Sequence, residues 1–69
     1  MKTTKIISGV YVGHRSDGLK VKVEEIYHRS WNLYTVKDND PSYQNYIHNF
    51  KSKKAAVGFA LKLNKNMWS

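Results

Sequence analysis

Alternation of apolar and polar residues in two short stretches most constrains how this chain can fold. Residues 19–25 read LKVKVEE, and residues 30–37 read SWNLYTVK. In the first stretch Leu19, Val21 and Val23 are separated by lysines. Because successive side chains of a strand point to opposite faces, a period of two predicts half-buried strands in an antiparallel sheet. In the second stretch Trp31, Leu33 and Thr35 are expected on one face and Asn32, Tyr34 and Val36 on the other.

Three other features complete the predicted sheet. Residues 5–13, KIISGVYVG, are rich in β-branched residues and predict a first strand. The Asp17-Gly18 pair predicts a tight turn before the alternating stretch. Alternation fails at residues 25–27, which predicts a bulge, a bend or the end of the strand.

The last predicted strand is residues 43–50, YQNYIHNF, with Tyr46, His48 and Phe50 on one face. The DNDPS segment at residues 38–42 has the composition of a loop. The pattern therefore predicts two hairpins, which form three or four antiparallel strands.

Residues 51–65, KSKKAAVGFALKLNK, predict a helix that follows the sheet. Ser52 is placed as its N-cap, where a hydroxyl can accept a hydrogen bond from an early helical N–H. At about 100° per residue, one side gathers an apolar set, with Val57 at its margin. That set is Ala56, Phe59, Ala60, Leu63 and Met67. The opposite stripe is Lys54, Gly58, Lys62 and Lys65. The expected fold is a single α+β domain over residues 1–69, with a three- to four-stranded sheet packed against one C-terminal amphipathic helix.

The charge of the chain is concentrated near its two ends. Its 69 residues carry a net charge of +7 and no cysteine. Residues 51–69 contain five lysines and no acidic residue, whereas residues 24–50 are mildly acidic. A small basic domain of this kind is expected to attract polyanions, although solubility alone also explains such a charge.

The predicted start of the helix carries an unusual pair of cations. Lys53 and Lys54 oppose the helix dipole in the first turn, at a cost of a few tenths to ~1 kcal/mol each. Free N–H groups beside lysines suit a phosphate, and Gly58 would let a phosphate backbone approach closely. The alternative is a solvated lysine face without a ligand. The candidate phosphate contacts are Lys51, Ser52, Lys53, Lys54, Lys62 and Lys65.

A second candidate patch consists of Arg15, Lys20 and Lys22. With the helix on the apolar face, these cations are expected on the outer face of the sheet. Asn32 and Tyr34 lie on the same face if the predicted strand phasing is correct. Such a surface could contact base edges in a groove of nucleic acid or stack on unpaired bases. The alternatives are an ordinary polar outer face and a core position for Tyr34.

Catalytic and metal-binding patterns are weak in this sequence. His14, His28 and His48 lack the helical spacing of a zinc site, and no thiolate can complete one. There is no phosphate-binding glycine loop and no nucleophile elbow. We therefore expect no enzyme, no metal and no cofactor. No apolar run approaches the ~20 residues of a membrane span, so a soluble, cytoplasmic protein without membrane contact is expected.

Three short segments carry a resemblance to a known family. GVY at 9–11, WNLYTV at 31–36 and NFKSKKAAVGFA at 49–60 resemble the AP2/integrase-type small DNA-binding domain. The resemblance implies a three-stranded sheet that lies in the major groove of DNA, with the helix packed behind it. In that case the sheet, rather than the helix lysines, meets the nucleic acid.

The sequence favours a basic nucleic-acid-binding module, for DNA or RNA, that contacts phosphates through its lysine-rich helix. The alternative is a protein-interaction module or inhibitor, such as a phage-encoded accessory protein, that docks on an acidic protein partner. Unpaired strand edges and Trp68 would then serve the interface or a homodimer.

Overall fold

The computed structural model describes residues 1–64, apart from the side chain of Pro41. It consists of one antiparallel five-stranded sheet, in which neighbours in sequence are neighbours in space, and one helix. The elements are β1 (Thr3–Ile7), β2 (Val10–His14), β3 (Lys20–Tyr27), β4 (Ser30–Lys37), β5 (Asp40–Phe50) and α1 (Lys53–Ala60). The α+β class is confirmed, but the expected count of three or four strands is wrong.

The additional strand comes from the stretch that was expected to form one strand. Ile7 pairs with Val10, so Ser8 and Gly9 form a two-residue turn between β1 and β2. Gly9 has a φ of 80°, which glycine adopts without a steric penalty. A tight turn with a positive φ reverses the chain, and the β-branched residues on either side pair with each other.

The two alternating stretches form the centre of the sheet, as predicted. Val21, Val23, Leu33 and Thr35 are each almost completely buried. The ladder between β3 and β4 shifts register between Glu25 and Tyr27, at the predicted break in alternation. The hydroxyl of Thr35 has no hydrogen-bond partner among the described residues.

Strand β5 departs from its predicted phase. It begins at Asp40, inside the predicted loop. Tyr34 pairs with Tyr46 but Leu33 pairs with His48, so the register shifts by one residue at Ile47. Because side chains alternate along a strand, this bulge puts Tyr46 on the outer face while Phe50 faces the helix. The prediction that Tyr46 shares a face with His48 and Phe50 is therefore wrong.

Ser52 caps the helix as predicted, since its Oγ accepts a hydrogen bond from Ala55 N at 3.1 Å. The helix ends at Ala60, earlier than the lysine periodicity suggested. Ala56 and Ala60 are buried, together with Leu63 in the turn that follows. Phe59 lies at the margin of the sheet-facing side, since its ring meets Phe50 but remains 41% exposed. Lys65 and Met67 lie outside the described residues.

The helix divides one face of the sheet into two flanks. It packs on β3, β4 and β5. The Lys53 side chain lies over Tyr11 of β2, whereas the ring of Phe59 meets Phe50 of β5 at 5.2 Å. One flank is thus bounded by β1 and β2, and the other by β5. Within residues 1–64 no helix is long and apolar enough to cross a membrane.

Candidate nucleic-acid interface

The structure separates the predicted cations into those with acidic partners and those without. Lys20 Nζ lies 2.7 Å from Asp38 Oδ1, and this hydrogen bond lowers the pKa of the Asp38 carboxyl. Arg15 is paired with Asp17 in the same way. Two members of the predicted second patch are therefore already neutralised.

Arg15 also holds the C-terminal end of α1. Its Nη1 donates to Ala60 O at 3.0 Å and to Leu63 O at 2.5 Å. Its Nε donates to Asp17 Oδ1 at 3.1 Å, and Nη2 donates to the other carboxylate oxygen. The hydrogen bond from Arg15 is the main reason that the pKa of Asp17 lies below its usual range. With its side chain only 14% exposed, Arg15 has a structural role as a cap.

Lys22 belongs to a polar surface on the outer face of the sheet. Its Nζ donates to Gln44 Oε1 and lies 4.9 Å from the centre of the Tyr34 ring. Tyr34 is therefore an outer-face residue beside Lys22, as the phasing predicted, and not a core residue. The Tyr34 hydroxyl accepts a hydrogen bond from Asn32, whose carbonyl accepts one from Asn49. These polar side chains therefore form hydrogen bonds with one another.

Lys53 has a partner that the sequence did not reveal. Its Nζ lies 3.8 Å from the centre of the Tyr11 ring, and the side chain is only partly exposed. The negative face of an aromatic ring attracts a cation by about 0.5–2 kcal/mol, depending on how dry the contact is. This contact offsets the unfavourable position of Lys53 in the first helical turn. The opening of the helix with lysines is thus partly explained by packing.

The other described lysines of the helical segment have no acidic partner within residues 1–64. Lys51, Lys54 and Lys62 are exposed, and among the described residues no carboxylate oxygen lies within 4.0 Å of their ammonium groups or that of Lys53. Ser52 stands among them, but its hydroxyl is engaged as the helix cap. Lys65 lies outside the described residues.

Lys5 joins this cationic surface, although it is not among the phosphate contacts predicted from the sequence. It pairs with Tyr11 across β1 and β2, and it therefore belongs to the same face as Tyr11 and the helix. A regular turn at Ser8-Gly9 would place Lys5 opposite Val12, and only the register shift between Lys5 and Ile7 brings it opposite Tyr11. Lys5, Lys51, Lys53, Lys54 and Lys62 are called the helix-side lysines below.

A groove of about 420 Å³ lies on the β1 flank of the helix. It is lined by Met1, Thr3, Lys53, Lys54 and Val57. Met1 reaches this position because β2 carries Gly13: a Cβ there would lie 2.8 Å from Met1 Sδ. The groove combines an apolar interior with two lysines.

The histidines do not come together in a site. His14 Nε2 lies 3.9 Å from Asp38 Oδ1, and the His48 ring packs against Phe50 at 5.2 Å. His28 is exposed in the turn between β3 and β4. Within residues 1–64 no three histidine or carboxylate side chains are grouped closely enough to hold a metal ion.

No protein-family model matches this chain, and comparisons with curated proteins and with solved structures gave no match either. The resemblance to the AP2/integrase-type domain therefore remains a prediction, and the candidate interface rests on the geometry above.

Proposed function

We propose that this protein binds nucleic acid through the helix-side lysines. The observation that carries the proposal is that no carboxylate oxygen of residues 1–64 lies within 4.0 Å of their ammonium groups, in contrast to the pairing of Arg15 and Lys20. An ammonium group that no carboxylate neutralises contributes its full charge to the field around the molecule. Several such groups on one side of a small domain attract a polyanion to that side.

Phosphate contacts of this kind are sequence-independent and sensitive to salt. Each neutralised phosphate releases condensed counterions, so the logarithm of the binding constant falls linearly with the logarithm of the salt concentration. Each contacting lysine contributes about one to the magnitude of that slope. Lys22 on the outer face stays a secondary candidate, because Gln44 and Tyr34 already hold its ammonium group.

Fluorescence anisotropy of labelled oligonucleotides at several salt concentrations tests the proposal. The variant Lys54→Ala/Lys62→Ala removes two exposed lysines from the helix side. The matched control, Lys20→Ala/Lys22→Ala, removes the same charge from the outer face. We expect the helix-side variant to reduce the salt slope by about two, and the control to change it much less. Lys53 is left in place because its removal would also disturb the packing on Tyr11.

Two other outcomes would overturn the proposal. If only the outer-face variant lost affinity, the sheet would be the contact, as the AP2/integrase resemblance implies. If the wild type bound no oligonucleotide at low salt, the proposal of nucleic-acid binding would be wrong. The alternative of an acidic protein partner would then lead, with the exposed Ile6 and Ile7 of the edge strand β1 as apolar contacts beside the lysines.

A further inference from the structure

We infer that the groove between β1 and α1 binds an unpaired nucleic-acid strand in preference to a duplex. This inference rests on the proposed function and names the class of nucleic acid. It draws on the composition of the groove, on the Tyr11–Lys53 contact and on the free edge of β1.

The groove offers apolar surface, which a duplex cannot use. Met1 and Val57 line it, while Lys53 and Lys54 bring cations to the same space. The bases of a duplex are stacked on one another, so a duplex presents mainly phosphates to a lysine surface. An unpaired base exposes its faces and can lie against apolar side chains while the adjoining phosphate meets a lysine. A volume of about 420 Å³ is on the scale of a small ligand and not of a double helix.

The Tyr11–Lys53 contact adds an aromatic ring beside the groove. Lys53 lines the groove and also covers the face of Tyr11. A phosphate that draws the Lys53 ammonium away would uncover that face for a base. The Tyr11 ring also contacts Trp31, in a tilted arrangement with 6.0 Å between ring centres. Stacking of a base on an aromatic side chain stabilises a bound single strand and is tolerant of sequence.

The edge of the sheet supplies hydrogen-bonding groups. Within the described residues β1 pairs only with β2, so its other edge leaves backbone N–H and C=O groups without a strand partner. Base edges exposed in a single strand can pair with such groups, whereas those of a duplex already pair with each other. Lys5 lies on this strand and adds a cation to the β1 flank.

The test compares a single-stranded oligothymidylate with a hairpin duplex of the same phosphate count, at one salt concentration. The wild type is expected to bind the single strand about tenfold more tightly or better. Val57→Ser removes apolar lining without a change of charge. We expect it to weaken single-strand binding about threefold or more, with duplex binding unchanged. The matched control is Ile26→Ser, which replaces an exposed apolar residue of β3 that does not line the groove.

Tyr11→Leu provides a second variant, in which the aromatic ring is lost but apolar bulk is kept. It is expected to reduce the preference for the single strand, and a thermal melt verifies that the variant is folded. Equal affinity of the wild type for both oligonucleotides would overturn this inference and leave the proposed function standing. Binding of neither would overturn the proposed function itself. Equally tight binding of polyglutamate would overturn the inference in favour of an acidic protein segment.

Discussion

At the residue scale, lysines that look alike in the sequence have different roles. Lys53 and Lys54 are neighbours in the first turn of the helix, but Lys53 covers the ring of Tyr11 and Lys54 is exposed. The dipole of the helix disfavours both cations. The difference between them is therefore a difference of packing, which makes their substitution informative.

We predict that Lys53→Ala and Lys54→Ala have different effects on stability. Both substitutions remove an unfavourable charge, but Lys53→Ala also loses the contact with Tyr11, so its free energy of unfolding should be about 1 kcal/mol lower than that of Lys54→Ala. Lys54→Ala removes only an unfavourable charge, so it should be neutral or raise stability by a few tenths of a kcal/mol. Urea unfolding followed by tryptophan fluorescence measures both. Equal effects of the two substitutions would contradict the role assigned to Tyr11.

At the scale of elements, the helix is held by caps that come from different parts of the chain. It has eight residues, which is too short to be stable in isolation in water. Ser52 caps its start locally, whereas Arg15, from the turn after β2, takes the carbonyls at its end. Packing of Ala56 and Ala60 on the sheet and these two caps together maintain the helix.

Arg15→Ala is predicted to destabilise the protein without a change in the salt slope of nucleic-acid binding. Hydrogen bonds to charged groups contribute about 1.5–3 kcal/mol, and the loss should lie in that range. Denaturant unfolding measures the stability, and anisotropy measures the slope. A lower salt slope with unchanged stability would show instead that Arg15 contacts phosphates.

The acid dependence of stability follows from the partner of Arg15. The folded pKa of Asp17 is below its unfolded value, so its contribution is present above that unfolded value, ~3.9, and is lost as the pH falls through the folded value. Asp38, with its pKa lowered by Lys20, acts in the same direction. Asp17→Asn should therefore make the loss of stability below about pH 4 shallower. Thermal unfolding between pH 2 and pH 7 measures this, and a decline identical to that of the wild type would contradict it.

Substitution of Gly58 tests whether the glycine within the helix has a role in ligand binding. A Cβ at this position meets no atom within 4 Å, so alanine fits. Gly58→Ala should raise the free energy of unfolding by about 0.5–1 kcal/mol through helix propensity. Chemical denaturation measures the gain. A gain in stability with a loss of oligonucleotide affinity would mean that the glycine serves close approach of the ligand, and unchanged affinity would exclude that role.

At the scale of the whole molecule, the sheet has one face covered by a helix and two open edges. The strand order leaves β1 and β5 as the edges of the described sheet. β1 exposes Ile6 and Ile7, at 59% and 64%. Edge strands with exposed apolar residues tend to pair with other chains, and lysines commonly prevent this. Lys5 is placed to do so in β1.

Lys5→Val is accordingly predicted to promote self-association. The substitution leaves β1 as an uncharged, β-prone strand, so strand pairing between copies should increase. Sedimentation velocity over a range of concentrations measures the average mass. Lys54→Val is the matched control, since it removes the same charge from the helix. If both variants associated equally, net charge and not the edge of β1 would be the cause.

The sequence predicted strands correctly where the pattern depends only on neighbouring residues. The alternation in residues 30–37 predicted β4 to the residue, and both of its faces are as expected. The prediction was wrong where a single residue changed the path of the chain. The turn at Gly9 divides one expected strand into two, and the bulge at Ile47 places Tyr46 on the face opposite to the predicted one. A period of two cannot reveal an inserted residue, because the pattern is equally regular on either side of it.

What the sequence determined by itself is the set of strands with clean alternation, the cap at Ser52 and a surplus of lysines near both ends. These depend on side-chain direction and on neighbours within a few residues. Only the tertiary structure decided which cations have partners, since Arg15 meets Ala60 across 45 positions and Lys53 of the helix meets Tyr11 of β2. Such contacts depend on how the elements pack. The same lysines and arginine therefore read alike in sequence and differ in role once the chain has folded.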